Sequence, residues 1–259
     1  MMCVKMKKAK RPGFDKQLKR IIKSPKEIAI LKKSAKISDS CIKIIEHELE
    51  KPNITEKQLA QAINKNIRKQ KARLAFPTIV TCGKRATYIH AKPTKKEIRG
   101  LGYVDFGAKY KGYCSDITVP FVKSTIDKKE QQILDTILQA YKIMIKSIKL
   151  GANCWKLQNK FEKFLRARGY KTRHGLGHGI GLDVHELPSI VSSRRRKKWG
   201  PRKKKIWKRI KQLCFEAGMV FTIEPGVYVK GVGGCRIEND VLMTKHGPKV
   251  LTHSKLFKS

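Results

Sequence analysis

Two aspartates eleven residues apart, a histidine set between glycines and two glutamates fourteen residues apart are the parts of this chain whose types and spacing could do chemistry. The middle piece reads HGLGHGIGLDVHELP over residues 174–188, where His174, His178 and His185 sit among glycines with Asp183 and Glu186 close by. Such a stretch is either a metal-binding catalytic segment or a flexible loop rich in histidine. The choice between them depends on ligands elsewhere. Upstream, VDFGAKYKGYCSDIT carries Asp105 and Asp116. A hairpin turning at Tyr110-Lys111 puts the two carboxylates directly opposite each other, a destabilising pairing of like charges. It needs solvent, a shared proton or a cation between them. Downstream, FTIEPGVYVKGVGGCRIENDVLM places Glu224 and Glu238 equidistant from a turn centred near Gly231. One such pair is compatible with ordinary exposed side chains, but two pairs around a His/Gly segment form a constellation. Four carboxylates and an imidazole make a hard, oxygen-rich ligand set. That set suits two divalent cations, Mn, Co or Fe, ahead of a thiolate-type Zn site, with Zn still possible.

The elements that must position these groups follow from the periodicity. Residues 1–22 read as a basic, weakly structured arm. From Ser24 the run SPKEIAILKKSAKISDSCIKIIEHEL has a Ser N-cap, Pro at the first helical position and Glu27 three residues after the Ser, so it predicts a helix. A second helix is expected in TEKQLAQAINKNIRKQ with Thr55 as its cap, and β-rich segments with turns follow. The order then repeats: a long helix in DKKEQQILDTILQAYKIMIKSIKLG, another in NCWKLQNKFEKFLRARGY, and a second β-rich part. Leu59, Ile63 and Ile67 superpose on Leu157, Phe161 and Leu165 at an offset of 98, and Lys26-Glu27 on Lys129-Glu130 at 103. We expect an α+β fold of two pseudo-symmetric helix–helix–sheet halves, residues 23–259 forming a single domain.

Composition bounds the function class. The formal net charge is +40, from 60 Lys+Arg against 20 Asp+Glu, which attracts polyanions unless it is thinly spread. Twelve of those bases fall in RRRKKWGPRKKKIWKRIK, residues 194–211, beside Trp199 and Trp207. This basic insertion is either a solvated loop or a surface for RNA or ribosome contact. The apolar runs are too short for a membrane span, and the start lacks a secretory h-region. Seven cysteines without a CxxC pair suggest reduced thiols, and the expected location is cytoplasmic.

With these motifs in hand, residues 24–255 resemble the pita-bread metallopeptidases, the family of methionine aminopeptidases, Xaa-Pro aminopeptidases and Xaa-Pro dipeptidases. The family's ligand order Asp, Asp, His, Glu, Glu falls on Asp105, Asp116, His178, Glu224 and Glu238. HGLGHGIGLDVHE, EPGVY and GCRIEND are more similar to the Xaa-Pro branch. The resemblance implies a dinuclear metal site and hydrolysis of the first peptide bond of a peptide with a free N-terminus by a metal-bridging hydroxide. It implies that Glu224 takes and returns a proton, that His185 and His174 donate to the oxyanion, and that His90 in YIHAKP acts near the leaving group. Tyr228 and Arg236 would support the second metal. Three departures stand out: no room for the N-terminal domain usual in the Xaa-Pro branch, Val119 where Arg commonly follows SDIT, and the 194–211 insertion. Xaa-Pro hydrolysis is the first expectation, removal of an initiator Met the alternative. A non-enzymatic RNA- or ribosome-binding relative is the rival from another class, disfavoured because all five ligand positions are kept.

Overall fold

A computed structural model describes residues 14–191 and 201–259. Helices α1 (Phe14–Lys19), α2 (Pro25–Asp39), α3 (Cys41–Glu50) and α4 (Glu56–Lys69) come first. Strands β1 (Arg73–Leu74) and β2 (Ile79–Cys82) lead through a 3-10 turn to β3 (Gly100–Phe106), β4 (Ala108–Tyr110), β5 (Tyr113–Cys114) and β6 (Ile117–Lys123). The second half opens with α5 (Lys128–Lys146) and α6 (Cys154–Arg166), then β7 (Gly177–Gly179), β8 (Glu186–Ile190) and α7 (Pro201–Lys211). It closes with β9 (Val220–Ile223), β10 (Gly226–Val229), β11 (Gly233–Arg236), β12 (Asn239–Thr244), β13 (Gly247–Val250) and β14 (Phe257–Lys258).

The expected duplication is visible in how strands pair. In the first half β3 and β6 run antiparallel and end in the small hairpin β4–β5; in the second, β9 and β12 do the same around β10–β11. The two larger sheets have orders β14-β6-β3-β2 and β13-β12-β9-β7-β8. They meet where Glu238 donates its backbone N–H to the Thr118 carbonyl at 3.0 Å. Each half is covered by its own helices. Leu59, Ile63 and Ile67 on α4, like Leu157, Phe161 and Leu165 on α6, recur at helical spacing and are all buried. The former belong to a core with α3 and the first sheet, the latter to one with α5 and the second. Shortening Ile63, which is fully buried, to Val is expected to cost about 1 kcal/mol, read as a lower midpoint of urea unfolding at unchanged slope.

The caps read from sequence are present. Ser24 with Glu27, Thr55 with Gln58 and Asp127 with Glu130 each form a reciprocal capping box, so the Lys26-Glu27 and Lys129-Glu130 match marks equivalent helix starts. Three expectations are corrected. The single helix expected from Ser24 to Leu49 is broken at Ser40, whose hydroxyl donates back to the Ile37 carbonyl at 2.6 Å and accepts from the Asn66 amide. Residues 14–22, expected to be weakly structured, carry α1, the buried Ile21 and a bridge from Ile22 to Met219. The basic segment is not simply a solvated loop: residues 201–211 form α7, and Trp207 is buried. Residues 194–200, with Trp199, lie outside the described residues.

A fourth correction sets the site. The first hairpin turns at Lys111-Gly112, both with positive φ (46° and 88°), the backbone that a two-residue hairpin turn demands. That is one residue later than expected, and it moves every pairing by two. Asp105 therefore faces Thr118, and Asp116 lies diagonal to it, not directly opposite. The second hairpin keeps the expected centre at Gly231, since Gly226 pairs Arg236 and Ile223 pairs Asn239. Among the described residues no helix is long and apolar enough to cross a membrane, and the six described cysteines are free thiols.

Candidate metal centre and active site

Strand β7 carries His178 between two others, and glycines make that possible. A Cβ on Gly177 would come within 1.9 Å of the Thr222 carbonyl oxygen, and one on Gly179 within 2.0 Å of that of Leu187. Only glycine allows so close a backbone approach. The hairpin presenting Asp116 is pinned from behind by α2. Ser34 donates to the Ala108 carbonyl at 2.8 Å, and the Ser38 and Ser115 hydroxyls are 2.7 Å apart. Asp240 accepts the Asp116 backbone N–H at 3.1 Å.

These elements bring Asp116, His178 and Glu238 together, one possible ligand atom of each lying within 4.8 Å of the others. Glu224 adjoins the group, with Oε1 at 3.5 Å from His178 Nε2. Asp105 borders it, one oxygen bonded to the Arg236 guanidinium. All five face one cavity of about 1070 Å³, which His90, His174 and His185 also line.

The electrostatics favour a cation here. Burial raises the carboxyls of Asp105, Asp116 and Glu224 above the usual range, and Glu238 is pushed up to about 7. For Asp116 and Glu224 the neighbouring carboxylates add to burial; for Asp105 and Glu224, Arg236 pulls the other way. Asp105 Oδ1 and Asp116 Oδ1 are buried with no hydrogen-bond partner, a costly state for a charged oxygen. The His178 ring supplies a further sign. Its Nδ1 is 3.1 Å from the Gly179 carbonyl, which can only accept, so Nδ1 carries the proton. The Nε2 lone pair then points toward Asp116 and Glu224 oxygens at 3.8 and 3.5 Å. Lone pairs facing lone pairs are satisfied by a positive ion between them, and these donors fit a hard divalent cation.

Arg236 balances this negative charge. It is buried, donates to Asp105, to Thr118 Oγ1 at 3.0 Å and to the Tyr228 hydroxyl at 2.7 Å, and lies over the Tyr103 ring at 4.8 Å. Thr118 passes the contact on, donating to Glu238 Oε2 at 2.6 Å. The Tyr228 hydroxyl, accepting from Arg236, donates to His174 Nε2 at 2.9 Å, while His174 Nδ1 donates to the Gly175 carbonyl at 2.7 Å. Burial, helped by the charge of Arg236, drives the His174 pKa down to about 3 and keeps the ring neutral. With both nitrogens engaged and Nδ1 at 3.3 Å from Glu224 Oε2, His174 is set against Glu224. His174 also lines the cavity, as its expected substrate-facing role requires.

His185 and His90 sit at the exposed side of the cavity, and the His185 ring centroid is 4.2 Å from that of His178. Asp183 and Glu186 are engaged elsewhere. Glu186 accepts from the Asp183 backbone N–H and the Arg20 guanidinium, and lies 3.4 Å from the buried Lys23 ammonium. Thr118 and Asp240 are the partners that sequence reasoning missed. The signal was the period of two along a strand: Thr118 follows Asp116, and Asp240 follows Glu238, by two residues and so on the same face. Val119, where the family commonly has Arg, points into the first-half core.

The profile of metallopeptidase family M24 matches residues 29–245. The chain belongs to metallopeptidase family M24. Among curated relatives, this M24 chain is 35% identical over 239 residues to an uncharacterized peptidase of Methanocaldococcus jannaschii, covering 92% of the chain and 65% of the relative. It is 35% identical over 243 residues to one of Staphylococcus aureus, covering 92% and 64%. The M24 chain thus spans slightly under two thirds of the length of these relatives. Its structure superposes with a TM-score of 0.82 on a Xaa-Pro dipeptidase from Bacillus anthracis, at 31% identity over 94% of this chain and 65% of that one. A prolidase from Pyrococcus horikoshii gives 0.82 at 33% identity, covering 93% and 65%. An X-Pro aminopeptidase from Thermotoga maritima gives 0.81 at 31%, covering 95% and 66%. The expected pita-bread fold is therefore the fold of this M24 chain.

Proposed function

We propose that this chain is a metal-dependent exopeptidase that hydrolyses the N-terminal peptide bond of Xaa-Pro peptides. The observation that carries this reading is the convergence of Asp116, His178 and Glu238, flanked by Asp105 and Glu224, at the wall of one large cavity. The likeness to Xaa-Pro dipeptidases and an X-Pro aminopeptidase supports the choice of substrate over removal of an initiator Met. Asp105, Asp116, His178, Glu224 and Glu238 hold two divalent cations, Mn, Co or Fe with Zn possible, which when bound supply Lewis-acid activation of water and of the peptide carbonyl. Glu224, its carboxyl raised by burial, takes a proton from the attacking water and returns it to the leaving amine. His185, on the open side, donates to the developing oxyanion, and His90 borders the leaving group. His174 is a positioning residue for Glu224, its ring held by Tyr228 and kept neutral by burial and the charge of Arg236.

Cleavage of Ala-Pro, Ala-Pro-Ala and Met-Ala-Ser by Mn- or Co-loaded protein tests the reading. Release of the residue before Pro, abolished by a chelator, is expected; cleavage confined to the Met peptide would overturn it. The Tyr228→Phe variant frees His174 Nε2 and is expected to lower kcat about tenfold with KM little changed. Steady-state kinetics on Ala-Pro-Ala checks this. Trp207 is buried, so the RNA-contact alternative for residues 194–211 rests on their basic side chains.

A further inference from the structure

Helix α7 belongs to neither of the duplicated half-patterns, yet it reaches the cavity. Ile206 and Ile210, one turn apart, are among its lining residues, as is Gln17 of α1. At 100° per residue the helix surface divides cleanly. Trp207, buried, flanks the Ile206/Ile210 stripe on one side and anchors the helix, while Ile210 also packs against the second-half core. Lys205 and Arg209, both exposed, flank it on the other side, and Arg209 pairs with Asp15 of α1 at 2.9 Å. Lys204 and Lys208 cover the back. Eight of the eleven residues of α7 are polar, basic or Pro, so the three large apolar ones have specific work. One anchors, and two are half-buried at the edge of a cavity that has Phe76, Pro77 and Ile89 elsewhere on its wall.

We infer that Ile206 and Ile210 form a substrate-selecting wall that receives an apolar side chain either just before the scissile bond or two residues after it. This rests on the peptidase reading above. A half-buried isoleucine pair gains by excluding water from a second apolar surface, and it gains nothing from a charged or hydroxylated one. Selectivity of this kind is modest by nature, roughly tenfold for a few methylene groups. The basic flank of the helix keeps such an apolar edge soluble while leaving the stripe open to the cavity.

The test compares Leu-Pro-Ala, Ala-Pro-Leu, Ser-Pro-Ala and Ala-Pro-Ser with wild-type protein, Ile206→Ser, Ile210→Ser and Ile210→Leu. Two readouts are taken: kcat/KM with Mn-loaded protein, and calorimetric titration of the same peptides into chelated protein, which binds without cutting. Wild type should prefer one Leu peptide over its Ser counterpart by about tenfold. Each Ser variant should lose most of that preference, through KM, while Ile210→Leu keeps it and thermal midpoints stay close to wild type. A preference unchanged in both Ser variants, or absent from wild type in both readouts, overturns the inference. If no peptide is cut but the binding preference falls in the Ser variants, the wall stands and the peptidase reading fails. If nothing is cut and nothing binds, both fail.

Discussion

The Asp116→Asn variant is expected to lose at least about a thousandfold in kcat/KM on Ala-Pro-Ala, together with the rise in thermal midpoint that Mn gives the wild type. Asp116 is the residue on which the site converges. One oxygen lies 3.8 Å from His178 Nε2, the other is buried without a hydrogen-bond partner, and burial, then Glu238, Asp105, Asp240 and Glu224, raise its pKa. An amide keeps the shape and removes the charge that a cation needs, and it brings donor hydrogens into a ring of acceptors. The variant should fold, because relieving like-charge crowding stabilises the metal-free chain. Higher metal-free stability with lost metal response separates a ligand from a purely structural residue. Differential scanning calorimetry with and without Mn, run beside the kinetics, reads both. Wild-type turnover in the variant would remove Asp116 from the site.

The second large effect is a stability that falls as pH rises, provided the metal is absent. Asp105, Asp116, Glu224 and Glu238 have folded-state pKa values above their unfolded ones, so the folded chain binds more protons between the two. Their contribution is complete below about pH 4, the unfolded carboxyl range. It is lost as pH climbs through the folded values, for Glu238 about 7. His174 acts in the opposite sense. Its folded pKa of about 3 lies below the unfolded value, so its contribution falls away as pH drops below about 6.5. The carboxyls outnumber the one imidazole, so chelated protein should be less stable at pH 7 than at about pH 4.5. Divalent cations displace those protons and bind only the folded chain, so Mn should restore most of the loss at pH 7 and little at pH 5. Urea unfolding at both pH values, with chelator or excess Mn, measures all four corners. A chelated protein more stable at pH 7 than at pH 5 would contradict the buried, crowded carboxyls.

Much of this was legible before any coordinates, for identifiable reasons. The helix caps at Ser24 and Thr55 and the buried stripe Leu59, Ile63, Ile67 follow from local chemistry and periodicity alone. Asp105, Asp116, Glu224 and Glu238 stand out in the sequence as two carboxylate pairs around turns, whereas His178 is singled out from its neighbouring histidines only by the family resemblance. What escaped depended on distances between segments far apart in the chain. The first turn was misplaced by one residue because Lys111 adopts the positive φ more often reserved for Gly, Asn or Asp. No local pattern reveals that Tyr228, 54 positions away, lies within hydrogen-bond reach of His174 Nε2. In the basic segment the charges hide the spacing of Ile206, Trp207 and Ile210, which is that of an amphipathic helix.

The bridge between Thr118 and Glu238 has a consequence for the order of events in the cell. Arg236 and Asp105, like Thr118 and Glu238, lie 131 and 120 positions apart, so no half of the chain holds a complete site. During synthesis the first hairpin emerges and can pair long before Glu224 and Glu238 exist. A nascent chain then carries Asp105 and Asp116 without His178, Glu224 and Glu238, too few donors to retain a metal. With the proposed ligand set, ion capture would be deferred until nearly the whole domain has been made, and the last sheet-to-sheet docking, not the first folding event, would meet the metal pool.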